Sequence, residues 1–289
     1  MFESHAFTIT NAPASAHTGG AIVGAPAMRG ITLYAKVTGD WTRAVNALAR
    51  APGYKIIGGE DDEDGALVRE SVTSVRVLLS GPYGGLKLDM ASYGSVLLIA
   101  GGSGVTFMLG CIEECLTRKR ELRTSGRPGR GPRKVECVWV VRDMCEFVWR
   151  ILSNDADLAA ATIESMAPTL AYLAALASTS GFQLIYHLYL TNPPRPLPSG
   201  PPPSLPATTT LAPYRPAISQ LVREALPPPT FPELEEGRTK TCCTHGGLAV
   251  VACGPEGIVT ESRNAVAVLG VGERVRCGGV DFHGECYTL

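Results

Sequence analysis

The chain has 289 residues, of which 45% are apolar and 18% charged; this suits about two domains with real cores and excludes a wholly disordered chain. Lysine and arginine number 26 against 27 aspartates and glutamates, a net charge of −1, which excludes the basic footprint of a dedicated nucleic-acid binder. No uninterrupted apolar run of about 18–20 residues occurs. The longest candidate, residues 95–112, is broken by Gly101, Gly102, Ser103, Gly104, Thr106 and Gly110, so the chain by itself is expected to be soluble. Its first residues lack a basic segment followed by an apolar run, so no signal peptide is expected there.

Cysteines stand at 111, 115, 137, 145, 242, 243, 253, 277 and 286. Their number is odd and no pair has CxxC spacing, so reduced thiols serving as small apolar residues are expected and no metal site is assigned. The five histidines, at 5, 17, 187, 245 and 283, are too scattered for a metal cluster.

In chain order, residues 31–37 alternate in part and suit a half-buried strand, and 75–79 form a short β-branched run. The first 80 or so residues read as strand and loop, with an acidic loop at 58–65. From residue 95 onward strands and helices alternate. Residues 96–100 (VLLIA) predict a buried strand and 105–119 a helix. After a basic loop at 123–133, residues 135–141 predict a strand and 145–152 a helix. A further helix is predicted at 165–178 and a strand at 182–190. Fourteen of the 22 prolines lie between Pro193 and Pro232; such a segment lacks ladder donors, and about 192–232 is expected to be an extended or disordered insertion. Strands at 248–253 and 279–283 flank a helix at 256–269. This alternation predicts an α/β fold, an open parallel sheet doubly wound with helices on both faces.

Chemistry concentrates at three turns. After the VLLIA strand come Gly101, Gly102, Ser103 and Gly104, then a helix opening with Val105 and Thr106. Glycines let backbone amides approach a pyrophosphate, and a helix N-terminus adds free N–H groups and a positive dipole end. The spacing departs from the dinucleotide fingerprint, which has a third glycine further on, and a tight strand-to-helix connection needing positive φ would use the same residues. The second turn is Gly81-Pro82-Tyr83-Gly84-Gly85, which an ordinary β-turn also explains. The third, Cys253-Gly254-Pro255, follows the strand at 248–253. In an open α/β sheet, turns at the carboxyl ends of strands are where ligands bind.

Four segments, His5-Ala6-Phe7-Thr8, Gly81 to Gly84, Gly101 to Thr106 and Cys253-Gly254-Pro255, occur in the order of a known family. The chain resembles the cytoplasmic dehydrogenase part of fungal ferric reductases, relatives of the NADPH oxidases in the ferredoxin–NADP reductase-like superfamily. The tail from Gly278 to Tyr287 and the stretch Gly39-Asp40-Trp41-Thr42-Arg43 are similar to that family too. The resemblance implies part of an antiparallel flavin-binding β-barrel over 1–71, then an NADP-binding α/β domain over 72–289. His5, Phe7 and Thr8 would contact FAD, with Ala6 where the family has proline. Gly81, Pro82, Tyr83, Gly84, Gly101, Gly102, Ser103, Gly104, Val105 and Thr106 would hold NADPH. Arg142 would meet its 2′-phosphate, for which a bidentate guanidinium is suited, although a loop arginine paired with Asp143 is the plainer explanation. Cys253, Gly254 and Pro255 would lie at the nicotinamide, and Cys253, Glu285 and Tyr287 would be the catalytic group. The terminal tryptophan of the family is Leu289 here.

The implied activity is electron transfer from NADPH through FAD, on the cytoplasmic face of a membrane, to haems in a transmembrane domain and finally to a ferric chelate. With Met1 four residues before His5, the haem domain and several barrel strands are expected to be missing from this chain. An NADPH oxidase-type enzyme and a non-catalytic nucleotide-binding remnant are the alternatives.

Overall fold

The computed structural model describes residues 7–11, 31–35, 39–50, 78–126, 130–142, 162–192, 205–228 and 246–287. They fall into two compact units, Ala35–Gly85 on one side and Met1–Tyr34 with Leu86–Leu289 on the other. The domain boundary expected near residue 72 lies outside the described residues.

In the smaller unit a helix, α1 (Asp40–Arg50), replaces part of the expected strand and loop. The cause is legible afterwards: Trp41, Ala44, Val45 and Leu48 fall at i, i+3, i+4 and i+7, the helical apolar period. Gly39 and Thr42 close the first turn by reciprocal hydrogen bonds of 3.1 and 2.9 Å. Asp40 sits at the positive end of the helix, where a carboxylate is favoured, and pairs with Arg43 at 2.8 Å. The strand expected at 75–79 is not found in its described part: Leu78 and Leu79 are in no strand and are exposed, and 75–77 lie outside the described residues.

The larger unit is built on six parallel strands, β1 (Ser95–Gly101), β2 (Lys134–Val141), β3 (Gln183–Leu190), β4 (Thr209–Ala212), β5 (Leu248–Gly254) and β6 (Val280–Cys286), in the order β4-β3-β2-β1-β5-β6. Helices α2 (Val105–Thr124), α3 (Thr162–Ser180), α4 (Ile218–Glu224), α5 (Glu256–Ala267) and α6 (Val271–Cys277) connect them. Every residue of β1 and β5 is buried, as strands covered on both faces require. Alternation splits their side chains between two cores. Val96, Leu98, Ala100, Ala249 and Val251 pack with α2 and α3, whereas Leu97, Ile99, Leu248, Val250 and Ala252 pack with α4 and α5. The expected doubly wound parallel sheet is therefore present.

The proline-rich segment departs from expectation. Residues 205–228 are not disordered; they supply the edge strand β4 and helix α4. Thr209–Ala212 carries no proline and pairs with β3. Leu205, Ile218 and Val222 are buried, so the prolines flank the elements rather than interrupt them. The helix expected at 145–152 lies outside the described residues.

From the N-terminal region, Ile9 and Leu33 form an antiparallel bridge, fastened by the Thr10 hydroxyl donating to the Thr32 carbonyl at 3.1 Å and by the Thr32 amide donating to Asn11 Oδ1 at 2.7 Å. This pair lies on α2. A Cβ at Gly110 would stand 3.2 Å from the Ile9 carbonyl oxygen, so the helix has no side chain where the backbone of residues 9–10 crosses it.

Candidate functional site

The strand order reverses at β1, whose neighbours β2 and β5 lead to opposite sides of the sheet. In an open α/β sheet the crevice at the carboxyl ends of strands beside such a reversal is where ligands bind. Two of the three turns singled out in the sequence meet there. Backbone contact holds them together: a Cβ at Gly104 would lie 2.2 Å from the Cys253 carbonyl oxygen, and one at Gly254 would lie 3.0 Å from the Gly101 nitrogen. Only residues without side chains let β1 and β5 end so close.

The turn Gly102-Ser103-Gly104 is one short helical turn running directly into α2. Gly102 sits at φ +54°, a conformation that a residue with a Cβ rarely takes. Its carbonyl accepts a hydrogen bond from Trp139 Nε1 at 2.9 Å, and the Thr106 hydroxyl donates to the Ser103 carbonyl at 2.9 Å. Trp139 is buried. The sequence placed it only as a strand residue, since nothing local tells that an indole on β2 braces a turn after β1.

Tyr287 closes the other side. Its hydroxyl accepts from the Gly104 amide at 3.0 Å and donates to the Gly101 carbonyl, while its own amide donates to the Gly254 carbonyl at 3.2 Å. The C-terminal tyrosine thus ties both turns. Burial raises its pKa, against the hydrogen bonds from Ser103 and Gly104 that lower it. Cys253, at the end of β5, is 6% exposed. Burial, with Glu285 and Cys286 nearby, pushes its thiol up to about 12, so it is a neutral thiol at physiological pH and no nucleophile. Glu285 is its register partner on β6. Pro255 caps α5 without a side-chain hydrogen bond, and its ring would meet a Cβ on Gly101 at 3.0 Å.

Arg142 is the exposed residue following β2, and its carbonyl accepts from the Asn192 amide at 2.7 Å. It therefore stands on the same carboxyl rim of the sheet as Gly101 and Gly254. Val105 and Thr106 begin α2 and are buried. Phe7 and Thr8, half-buried, immediately precede the bridge residue Ile9; His5 lies outside the described residues. The Gly81–Gly84 turn belongs to the smaller unit. There it contains a cis Gly81–Pro82 bond, with Gly81 and Gly84 at φ +129° and +74°, and the Ser80 and Tyr83 hydroxyls are hydrogen-bonded. It does not end a sheet strand as expected, because no residue between 78 and 88 is in one.

Residues 93–267 match the family described as ferric reductase NAD binding domain. That match covers more than half of the chain. The chain belongs to the ferric reductase NAD-binding family. A respiratory burst oxidase homolog protein D from Solanum tuberosum is 24% identical over 157 residues, 51% of this chain and 16% of the relative. Ferric reduction oxidase 8, mitochondrial, from Arabidopsis thaliana is 30% identical over 112 residues, 39% of this chain and 12% of the relative. The chain thus spans less than a fifth of the length of either relative. A solved ferredoxin NADP+ reductase from Neisseria gonorrhoeae with FAD and NADP bound aligns with 70% of this chain and 61% of its own, at 13% identity and a TM-score of 0.34. The ferric reductase family match begins at Tyr93, just before β1, and takes in both interlocked turns, Arg142 and α5. Among the described residues no helix is long and apolar enough to cross a membrane, and no group of three or more His, Cys, Asp or Glu could hold a metal ion.

Proposed function

We propose that this chain is the NADPH-binding, FAD-dependent electron-transfer part of a ferric-chelate reductase that works on the cytoplasmic face of a membrane. The observation that carries the reading is the junction of the Gly101–Gly104 and Cys253–Pro255 turns at the sheet reversal, inside the stretch that matches the family. This cradle suits a dinucleotide. Side chains are absent where a pyrophosphate must approach the backbone, and the N-terminus of α2, a 20-residue helix, opens directly beneath it.

In this reading Gly101, Gly102, Ser103, Gly104, Val105 and Thr106 receive the pyrophosphate. Arg142 faces the 2′-phosphate. Gly254 and Pro255 leave room for the nicotinamide, beside which Cys253 is a neutral, polarizable wall. Glu285 handles protons at the reacting end, and Tyr287 covers it until the dinucleotide arrives. His5, Phe7 and Thr8 hold FAD. When bound, FAD supplies the ability to accept a hydride and pass the electrons on singly. The protein's contribution is to fix the nicotinamide in position and keep water from it. The electrons would then pass to haem in a membrane domain and to a ferric chelate.

The test uses the purified chain. NADP+ titrated calorimetrically should bind, and Arg142→Ala should weaken NADP+ far more than NAD+. With FAD added, NADPH should be oxidised anaerobically when ferricyanide is supplied as acceptor. Absence of dinucleotide binding would favour a non-catalytic remnant. A second reading, transfer of the same electrons to oxygen, is supported by the respiratory burst oxidase relative, which aligns over the longer stretch. Superoxide formation in place of iron reduction would select it.

A further inference from the structure

Strand alternation divides β6 cleanly. Phe282 joins the core under α5, while Asp281, His283, Glu285 and then Tyr287 fall on the α2 side of the sheet. Asp281 is taken by the Tyr93 hydroxyl at 2.6 Å, and Tyr287 by the glycine turn. The remaining two are bonded to each other. His283 Nε2 lies 2.9 Å from Glu285 Oε1.

The histidine is held on two sides. Its ring is stacked on Phe107 of α2 at a centroid distance of 6.2 Å and an angle of 19°, and its side chain is only 11% exposed, against 39% for Glu285. A histidine so packed has little rotamer freedom, whereas an exposed glutamate on a strand has much. The hydrogen bond therefore transfers the order of the buried ring to the carboxylate. Glu285 Oε1 is committed to His283, and among the described residues Oε2 has no hydrogen-bond partner. Glu285 is also the register partner of Cys253, which puts the carboxylate at the rim of the site rather than on an outer face.

We propose that His283 is a positioning residue which, by holding Oε1 of Glu285, leaves Oε2 fixed to accept a hydrogen bond from the primary carboxamide of the nicotinamide. The proposal rests on the dinucleotide reading given above. It adds a residue that discriminates the nicotinamide end from the adenosine end, through a carboxylate that acts as acceptor only. Because a carboxylate only accepts, the contact requires the tautomer or charge state of His283 with a proton on Nε2, and His283→Gln offers a similarly placed N–H donor.

Calorimetric binding of two probes separates the possibilities: NADP+, and adenosine 2′,5′-bisphosphate, which lacks the nicotinamide. His283→Ala should weaken NADP+ by about three- to tenfold, the range expected for one ordered hydrogen bond, and leave the bisphosphate unchanged. His283→Gln should recover most of the loss. Glu285→Ala should weaken NADP+ similarly, and the double variant should be no worse than Glu285→Ala. Equal weakening of both probes by His283→Ala, no weakening of either, or additive losses in the double variant would overturn the role of His283. Should the unmodified chain bind neither probe, the dinucleotide reading itself falls, and this proposal with it.

Discussion

One added methyl group at Gly104 probes the closure of the site. The residue lies at φ −58° and ψ −14°, a helical conformation in which alanine is at ease, so the backbone alone would gain roughly 0.4–1 kcal/mol from Gly104→Ala. Space decides otherwise. The new Cβ would stand 2.2 Å from the Cys253 carbonyl oxygen, 2.8 Å from its carbon and 3.3 Å from the Gly254 nitrogen. Ordinary carbon–oxygen contacts lie at about 3.3 Å or beyond, so a shift of about 1 Å is required. All three atoms are backbone, fixed in a strand paired on both sides by β1 and β6, and cannot swing away as a side chain could. Overpacking costs ~1–3 kcal/mol in cores that yield; the upper end is expected here. With a urea dependence of about 3 kcal/mol per molar for a chain of this size, the midpoint should fall by about 1 M. Gly257→Ala, in α5 with nothing within 4 Å, is the control and should be neutral or stabilising by up to ~1 kcal/mol. The assay is urea unfolding followed by far-ultraviolet circular dichroism. A Gly104→Ala protein as stable as Gly257→Ala would refute the interlock of β1 and β5.

Three further outcomes are expected. On the opposite face of the sheet Glu136 is buried, with Lys134 against it and His187 at 3.5 Å. Burial pushes its pKa up, but the bonds from His187 and Lys134 outweigh this and hold it below the ordinary value. Its stabilising contribution is thus present above the unfolded glutamate pKa of about 4.3 and lost as pH falls through the lower folded value. Thermal melts from pH 6 to 3 should show Glu136→Gln less stable than wild type at pH 6, with the difference shrinking on acidification; a constant difference would count against the pairing. In alkylation with iodoacetamide at pH 8 and peptide mapping, exposed Cys286 should be modified while Cys253, with its thiol pushed up to about 12, stays unmodified; equal labelling would refute its neutral, buried state. Tyr287→Phe frees the Gly104 amide that the hydroxyl occupies, so NADP+ affinity should rise by about three- to tenfold, the equivalent of one net hydrogen bond. Weaker binding would show that the hydroxyl does not compete with the ligand.

The sequence made the scaffold legible wherever one local rule applied without competition. The β-branched runs at 96–100, 135–141 and 248–253 became β1, β2 and β5 because buried parallel strands need apolar side chains on both faces. Glycines after β1 marked the strand-to-helix turn because positive φ is costly elsewhere, and Gly102 bears that out. Local composition misled where the decisive partner was distant. The prolines of 193–232 hid Thr209–Ala212, whose strand exists only because β3 offers an edge. Helix α1 is hard to read locally because its apolar period is short and lies among strand-like and loop-like residues.

By itself, then, the sequence determined the alternation of strands and helices, the doubly wound class and the turns at which a phosphate could meet backbone amides, since each follows from side-chain period or from glycine within a few residues. Only the tertiary structure decided which turns meet. Cys253 and Gly104 are 149 positions apart in the chain, yet their backbones touch because β5 is laid beside β1. Trp139 braces Gly102, Tyr287 ties both turns, and His283 fixes Glu285 between Phe107 and the rim. These contacts arise from strand order and register, which no local period encodes.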